Sequence, residues 1–128
     1  MTTKTRFPIR FDPWFRGLST ILLLPPSGSY VEIDGDQVSV RMGWAFRTHF
    51  SRLAMSKVAA SNAHPASRGV HGFWGRWLVN GSGNGIVAID LCPKQRAYVV
   101  GMPVGLRQLI VSAEDPEKLI ATLTPKAR

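Results

Sequence analysis

A single cysteine, Cys92, stands in this chain of 128 residues. No internal disulfide can form, and the paired CxxC ligands of a metal knuckle are excluded. One thiol fits a reducing, intracellular setting. Long apolar runs are equally scarce. Leu18 to Leu24 is interrupted by Ser19 and Thr20 and ended by Pro25-Pro26, well short of the roughly 20 apolar residues a spanning helix needs. Basic residues precede this run, but no small-residue cleavage pattern follows it. The start is therefore expected to be a mature N-terminus, and the protein cytoplasmic, at most peripheral at the inner membrane face.

Carboxylates are scarce in one region. Residues 37–113 contain Asp90 as their one acidic side chain, against Arg41, Arg47, Arg52, Lys57, Arg68, Arg76, Lys94, Arg96 and Arg107. Residues 1–36 and 114–128 are each balanced, so the whole net charge of +8 lies in the middle. Two readings stand side by side: a basic face that meets an anionic partner, or arginines spread over the polar faces of strands for solubility.

Recognisable catalytic patterns are also missing. His49, His64 and His71 have no metal-ligand spacing, and no serine sits in a GxSxG elbow. The segment GSGNG at 81–85 lacks the lysine-hydroxyl ending of a P-loop. Asp34 and Asp36 fit a turn, and the acidic residues at 114–117 fit a helix start. No enzyme activity, metal or cofactor is expected, and Cys92 is expected to pack as a small hydrophobe.

What is present is a folded-domain composition, 45% hydrophobic and 19% charged, with clear periodicities. In residues 12–23 Asp12 and Pro13 suit the start of a short helix. From Tyr30 the period becomes two: YVEID and QVSVRMG flank the hairpin signal Asp34-Gly35-Asp36. Val38, Val40 and Met42 then share one face, and Gln37, Ser39 and Arg41 the other. WAFRTHFSRL follows a turn at Gly43, with Trp44, Phe46, Thr48 and Phe50 on one face, and Trp44 and Trp14 are expected to pack. MSKVAAS reads as a weaker strand. RWLVN and GIVAIDL read as a pair joined by a turn from Asn80 to Gly85, and RAYVVG and LRQLIVSA complete the set after a turn at Pro93-Lys94. At the end Asp115 caps a helix with Pro116 at its first position and Leu119, Ile120 and Leu123 on one face. The expected fold is mainly β (α+β): a partly open barrel of about seven antiparallel strands, capped by a C-terminal α-helix. Residues 1–28 form an N-terminal segment with a short helix, and 29–128 the β-barrel domain.

YVEIDGDQVSVRMGWAFRTHF and the closing LRQLIVSAEDPEKLIATL resemble the pleckstrin-homology-like (PH-like) superfold, specifically small bacterial proteins of actinobacterial type. The resemblance covers roughly residues 29–124 and implies a binding or scaffolding module. One departure matters: phosphoinositide-binding members carry basic residues around the first hairpin loop, whereas Asp34-Gly35-Asp36 would repel a phosphate.

RGVHGFWGRW, residues 68–77, is the candidate ligand-binding stretch. Arg68, His71, Trp74, Arg76 and Trp77 join guanidinium donors to flat aromatic surfaces, a set able to hold an anion or stack a base. Positions 74 and 77 fall on opposite faces of a strand, so both tryptophans cannot be core in one regular strand. The first functional reading is a non-enzymatic module whose basic face meets a protein partner or an anionic membrane surface. The alternatives are a nucleic-acid-binding β domain and a small split-barrel enzyme binding flavin or deazaflavin. An exposed sheet edge beside an apolar helix allows a homodimer.

Overall fold

The computed structural model describes residues 4–14, 17, 28–61, 69–73 and 75–124. Of the expected helix at 12–23, Asp12, Pro13, Trp14 and Gly17 are among these residues and the rest lies outside them. Nine strands appear among them: β1 (Lys4–Pro8), β2 (Ser29–Asp34), β3 (Gln37–Met42), β4 (Phe46–Ser51), β5 (Met55–Ala60), β6 (Gly69–Phe73), β7 (Arg76–Asn80), β8 (Ile86–Val99) and β9 (Met102–Ser112). One helix, α1 (Pro116–Leu123), follows. The strands form one curled, open half-barrel in the order β1-β2-β3-β4-β8-β9-β7-β6, with β5 also on β8.

The mainly β architecture follows from alternation. In β2, β3 and β4 every second residue is buried, so Val31, Ile33, Val38, Val40, Phe46 and Phe50 fill the concave side. Burying one such side chain contributes roughly 1.5–3 kcal/mol, and a one-residue slip would turn the whole set to water. Thr48 falls on this inner face too, where its hydroxyl donates to the carbonyl of Arg96 at 2.7 Å.

Three features correct the expected barrel. First, β7 runs parallel to β9, Trp77 opposite Leu109 and Val79 opposite Val111, so the sheet is mixed rather than purely antiparallel. Second, GIVAIDL and RAYVVG are one strand. The pairing of β8 with β9 shifts between Asp90 and Gln95, an irregularity that tolerates Pro93 and bends the strand. The first half of β8 pairs with β5 and the second with β4, and this exchange of partners curls the sheet. Third, Asn80 to Gly85 is not a hairpin turn. β7 and β8 lie on opposite sides of β9, and the segment passes over that strand's end.

That crossing is buried and polar. The Ser112 hydroxyl accepts from Gly81 N–H at 3.0 Å and donates to the Arg10 carbonyl at 2.8 Å, while the Ser82 hydroxyl donates to Asp12 at 2.7 Å. A buried loop needs such partners for its backbone. Gly81 is required by space, since a Cβ there would stand 2.6 Å from the Phe11 ring and 2.8 Å from the Arg10 carbonyl. Phe7, Ile9 and Phe11 are buried as well, so β1 and the residues after it contribute these three side chains to the core.

Helix α1 starts as its sequence dictates. The Asp115 carboxylate accepts from Lys118 N–H at 3.2 Å, Pro116 begins the first turn, and Leu119 and Leu123 are fully buried. It packs on β5 and β8 and accepts a 2.7 Å bond from Arg52 at the carbonyl of Thr122.

Candidate functional site

The alternation that fills the concave side turns a second set of side chains to the outer face. Across four strands the register aligns Tyr30 with Arg41, Arg41 with Arg47, and Arg47 with Tyr98. The sheet therefore carries a transverse row, Tyr-Arg-Arg-Tyr. Directly opposed residues in an antiparallel pair have Cβ atoms about 5 Å apart, and like charges there repel. Local contacts steer the two arginines apart. Arg41 Nε donates to the Gly43 carbonyl at 3.2 Å, and the Arg47 guanidinium lies over the Tyr98 ring, 4.5 Å from its centroid.

These residues, with His49 and Arg96, wall an open groove of about 540 Å³. Glu32 also reaches it, but its charge is already engaged. Arg6 donates to its carboxylate at 2.6 and 3.0 Å, and Lys4 stands 3.8 Å away. The hydrogen bond to Glu32 holds the Arg6 guanidinium above its ordinary pKa, and Arg6 covers the Tyr30 ring at 3.9 Å. Arg47 and Arg96 make no side-chain hydrogen bond or ion pair with any of the described residues.

Two smaller depressions continue the groove along β8 and β9. One is lined by Lys94, Gln95, Arg96 and Gly105, the next by Lys94, Gly105, Gly75 and Arg107. Lys94 runs along the bare backbone of Gly105, where a Cβ would come within 2.7 Å of its stem. Among the described residues that line the three, Arg41, Arg47, Lys94, Arg96 and Arg107 face one carboxylate, Glu32. Guanidinium forks held near a sheet surface suit phosphate, sulfate or carboxylate oxygens.

The stretch singled out from sequence occupies a different place. Arg68 and Trp74 lie outside the described residues, and His71 is placed by its backbone alone, on β6 opposite Leu78. Arg76 is exposed and donates to Gln108 at 2.9 Å, and Gln108 donates in turn to Asp90 at 2.7 Å. Trp77 is half-buried against the core, its ring lying across Gly72, where a Cβ would overlap it. Two glycines of this stretch serve contacts within the chain: Trp77 lies over Gly72, and Arg107 over Gly75. Neither Arg76 nor Trp77 lines any of the three depressions.

Two further expectations are corrected. Trp44 is 54% exposed and Trp14 61%, so neither packs as core. Cys92 is exposed too, at the irregularity of β8. Among the described residues no three His, Cys, Asp or Glu side chains come together as a metal site, and no helix is long and apolar enough to cross a membrane. Sequence reasoning missed the groove although one signal for it was present. Arg41 and Arg47 stand at equal distances from Trp44, so a hairpin centred there must bring them face to face. No protein-family model, curated protein or solved structure matches this chain.

Proposed function

We propose that this protein is a non-enzymatic binding module of PH-like character that receives an anionic group in the groove on the outer face of β2, β3, β4 and β8. The observation that carries this reading is the in-register pair Arg41 and Arg47, set beside Arg96, none of the three paired with a carboxylate among the described residues. An oxyanion between them removes their mutual repulsion and accepts their hydrogen bonds. The β2–β4 meander and the closing helix are the parts on which the PH-like resemblance rests. They support a module rather than an enzyme only at the level of fold. The acidic turn Asp34-Gly35-Asp36 lies at the far end of the same strands, so this groove is distinct from a pocket around the first hairpin loop.

The test is a titration with inorganic pyrophosphate followed by amide chemical shifts. Shifts should concentrate on residues 41, 47, 96 and 98 and vanish in Arg41→Gln/Arg47→Gln. Loss of binding in Arg68→Ala/Arg76→Ala, with the Arg41/Arg47 variant unaffected, would return the site to residues 68–77 and overturn the groove.

A further inference from the structure

Beyond the groove, the strands end in an unusual tip. The β3–β4 turn, Gly43 to Ala45, and the β8–β9 turn, Val100-Gly101, lie side by side, joined by a 2.9 Å bond from Val100 N–H to the Ala45 carbonyl. Turns at a protein surface are ordinarily built from Gly, Asn, Asp, Ser and Pro. Here MGWAF (42–46) and VVGMP (99–103) contain no charged side chain. Trp44, Val100 and Met102 are 54%, 60% and 67% exposed.

The β8–β9 turn is costly in this form. Val99 pairs with Met102 across a two-residue loop, and both loop residues have positive φ, Val100 at 51° and Gly101 at 80°. That geometry favours Asn-Gly, and a β-branched residue there is strained. An apolar side chain is kept at the outermost position against the preference of the backbone.

The charged groups are graded along the same strands. The row Tyr30-Arg41-Arg47-Tyr98 crosses the sheet two or three residues from the tip, roughly 7–10 Å at the strand rise. The acidic turn at Asp34 to Asp36 lies at the opposite end, about 20 Å away. A surface that is apolar beneath a layer of phosphates matches this order of apolar tip, cationic row and distant carboxylates. Interfacial elements bury their apolar side roughly 5–10 Å into the headgroup boundary, and Trp favours that depth. When the tip enters so far, Arg41 and Arg47 stand level with the lipid phosphates.

We infer that Trp44, Val100 and Met102 insert into the interfacial layer of an anionic bilayer while Arg41 and Arg47 bind its headgroup phosphates. The inference rests on the groove being an anion site and names the lipid surface as the source of the anion. Co-sedimentation with phosphatidylcholine vesicles, with and without phosphatidylglycerol, tests it beside the pyrophosphate titration. The intact chain should bind the anionic vesicles only. Trp44→Ser/Met102→Ser should weaken that binding about tenfold or more yet leave pyrophosphate shifts unchanged, with folding checked by circular dichroism. Arg41→Gln/Arg47→Gln should lose both. Unaltered vesicle binding by the tip variant overturns the tip inference and leaves the groove standing, as does pyrophosphate binding by a chain that ignores vesicles. Absence of pyrophosphate binding removes the groove itself. Trp44-dependent dimerisation without vesicle binding, or Trp44-dependent binding of a single-stranded oligonucleotide in place of vesicles, overturns the lipid partner.

Discussion

The hydroxyl of Thr48 donates to the carbonyl of Arg96 at 2.7 Å, at the point where the ladder between β4 and β8 stops. Three residue pairs join those strands, so this side-chain bond fastens the junction on the core side while Arg47 and Arg96 occupy its outer side. Thr48→Val keeps the shape but deletes the donor. Stability should fall by about 1 kcal/mol, read as a lower urea midpoint with an unchanged slope. Thr48→Ser should recover most of the loss.

Val100 offers the opposite kind of change. Val100→Asn places a residue tolerant of positive φ in a turn that demands it, and stability should rise by about 1 kcal/mol or more. Thermal unfolding is the measurement. The same variant should bind anionic vesicles less well, because the tip gains a polar side chain. A gain in both properties would contradict the role assigned to the tip.

Glu32 is the carboxylate inside the cationic groove, neutralised by Arg6 and Lys4. Glu32→Gln should tighten pyrophosphate binding a few-fold at low salt, with the gain fading as ionic strength rises. Arg6→Ala should act in the reverse direction, although Arg6 is not among the residues lining the groove. The pair of titrations at two salt concentrations checks the sign of both effects.

Gly81→Ala should be strongly destabilising, by about 1–3 kcal/mol. Its Cβ would meet the Phe11 ring and the backbone carbonyl of Arg10, and a backbone carbonyl cannot swing aside as a flexible side chain can. Gly101→Ala lies in open space, and its cost should come from its positive φ alone. Denaturation of the two variants side by side separates crowding from backbone strain.

The elements that were legible are those whose signals are local. Strict alternation made β2, β3 and β4 readable, and Asp115-Pro116 before an apolar stripe made α1 readable. β1 was not, because KTRFP has one buried residue, Phe7, and draws its identity from pairing with β2. The division of β8 into two strands was an error of another kind. Pro93 reads as a break, yet the strand runs on through an irregularity, since its two halves answer to different neighbours. Trp44 was assigned to the core by its spacing from Phe46, but the chain turns before the alternation reaches it.

Local pattern is enough to make this a mainly β protein with a terminal helix, to place its positive charge in the middle of the chain, and to set Arg41 and Arg47 on either side of a turn. Periodicity and capping act over a few residues, so they survive without tertiary context. Which strands adjoin is a matter of tertiary packing. It set β7 parallel to β9, laid the glycine-rich crossing over a strand end, and brought Tyr98, far along the chain, into one row with Arg41 and Arg47. Strand pairing is chosen by the burial of whole faces against one another, and no local segment contains that information.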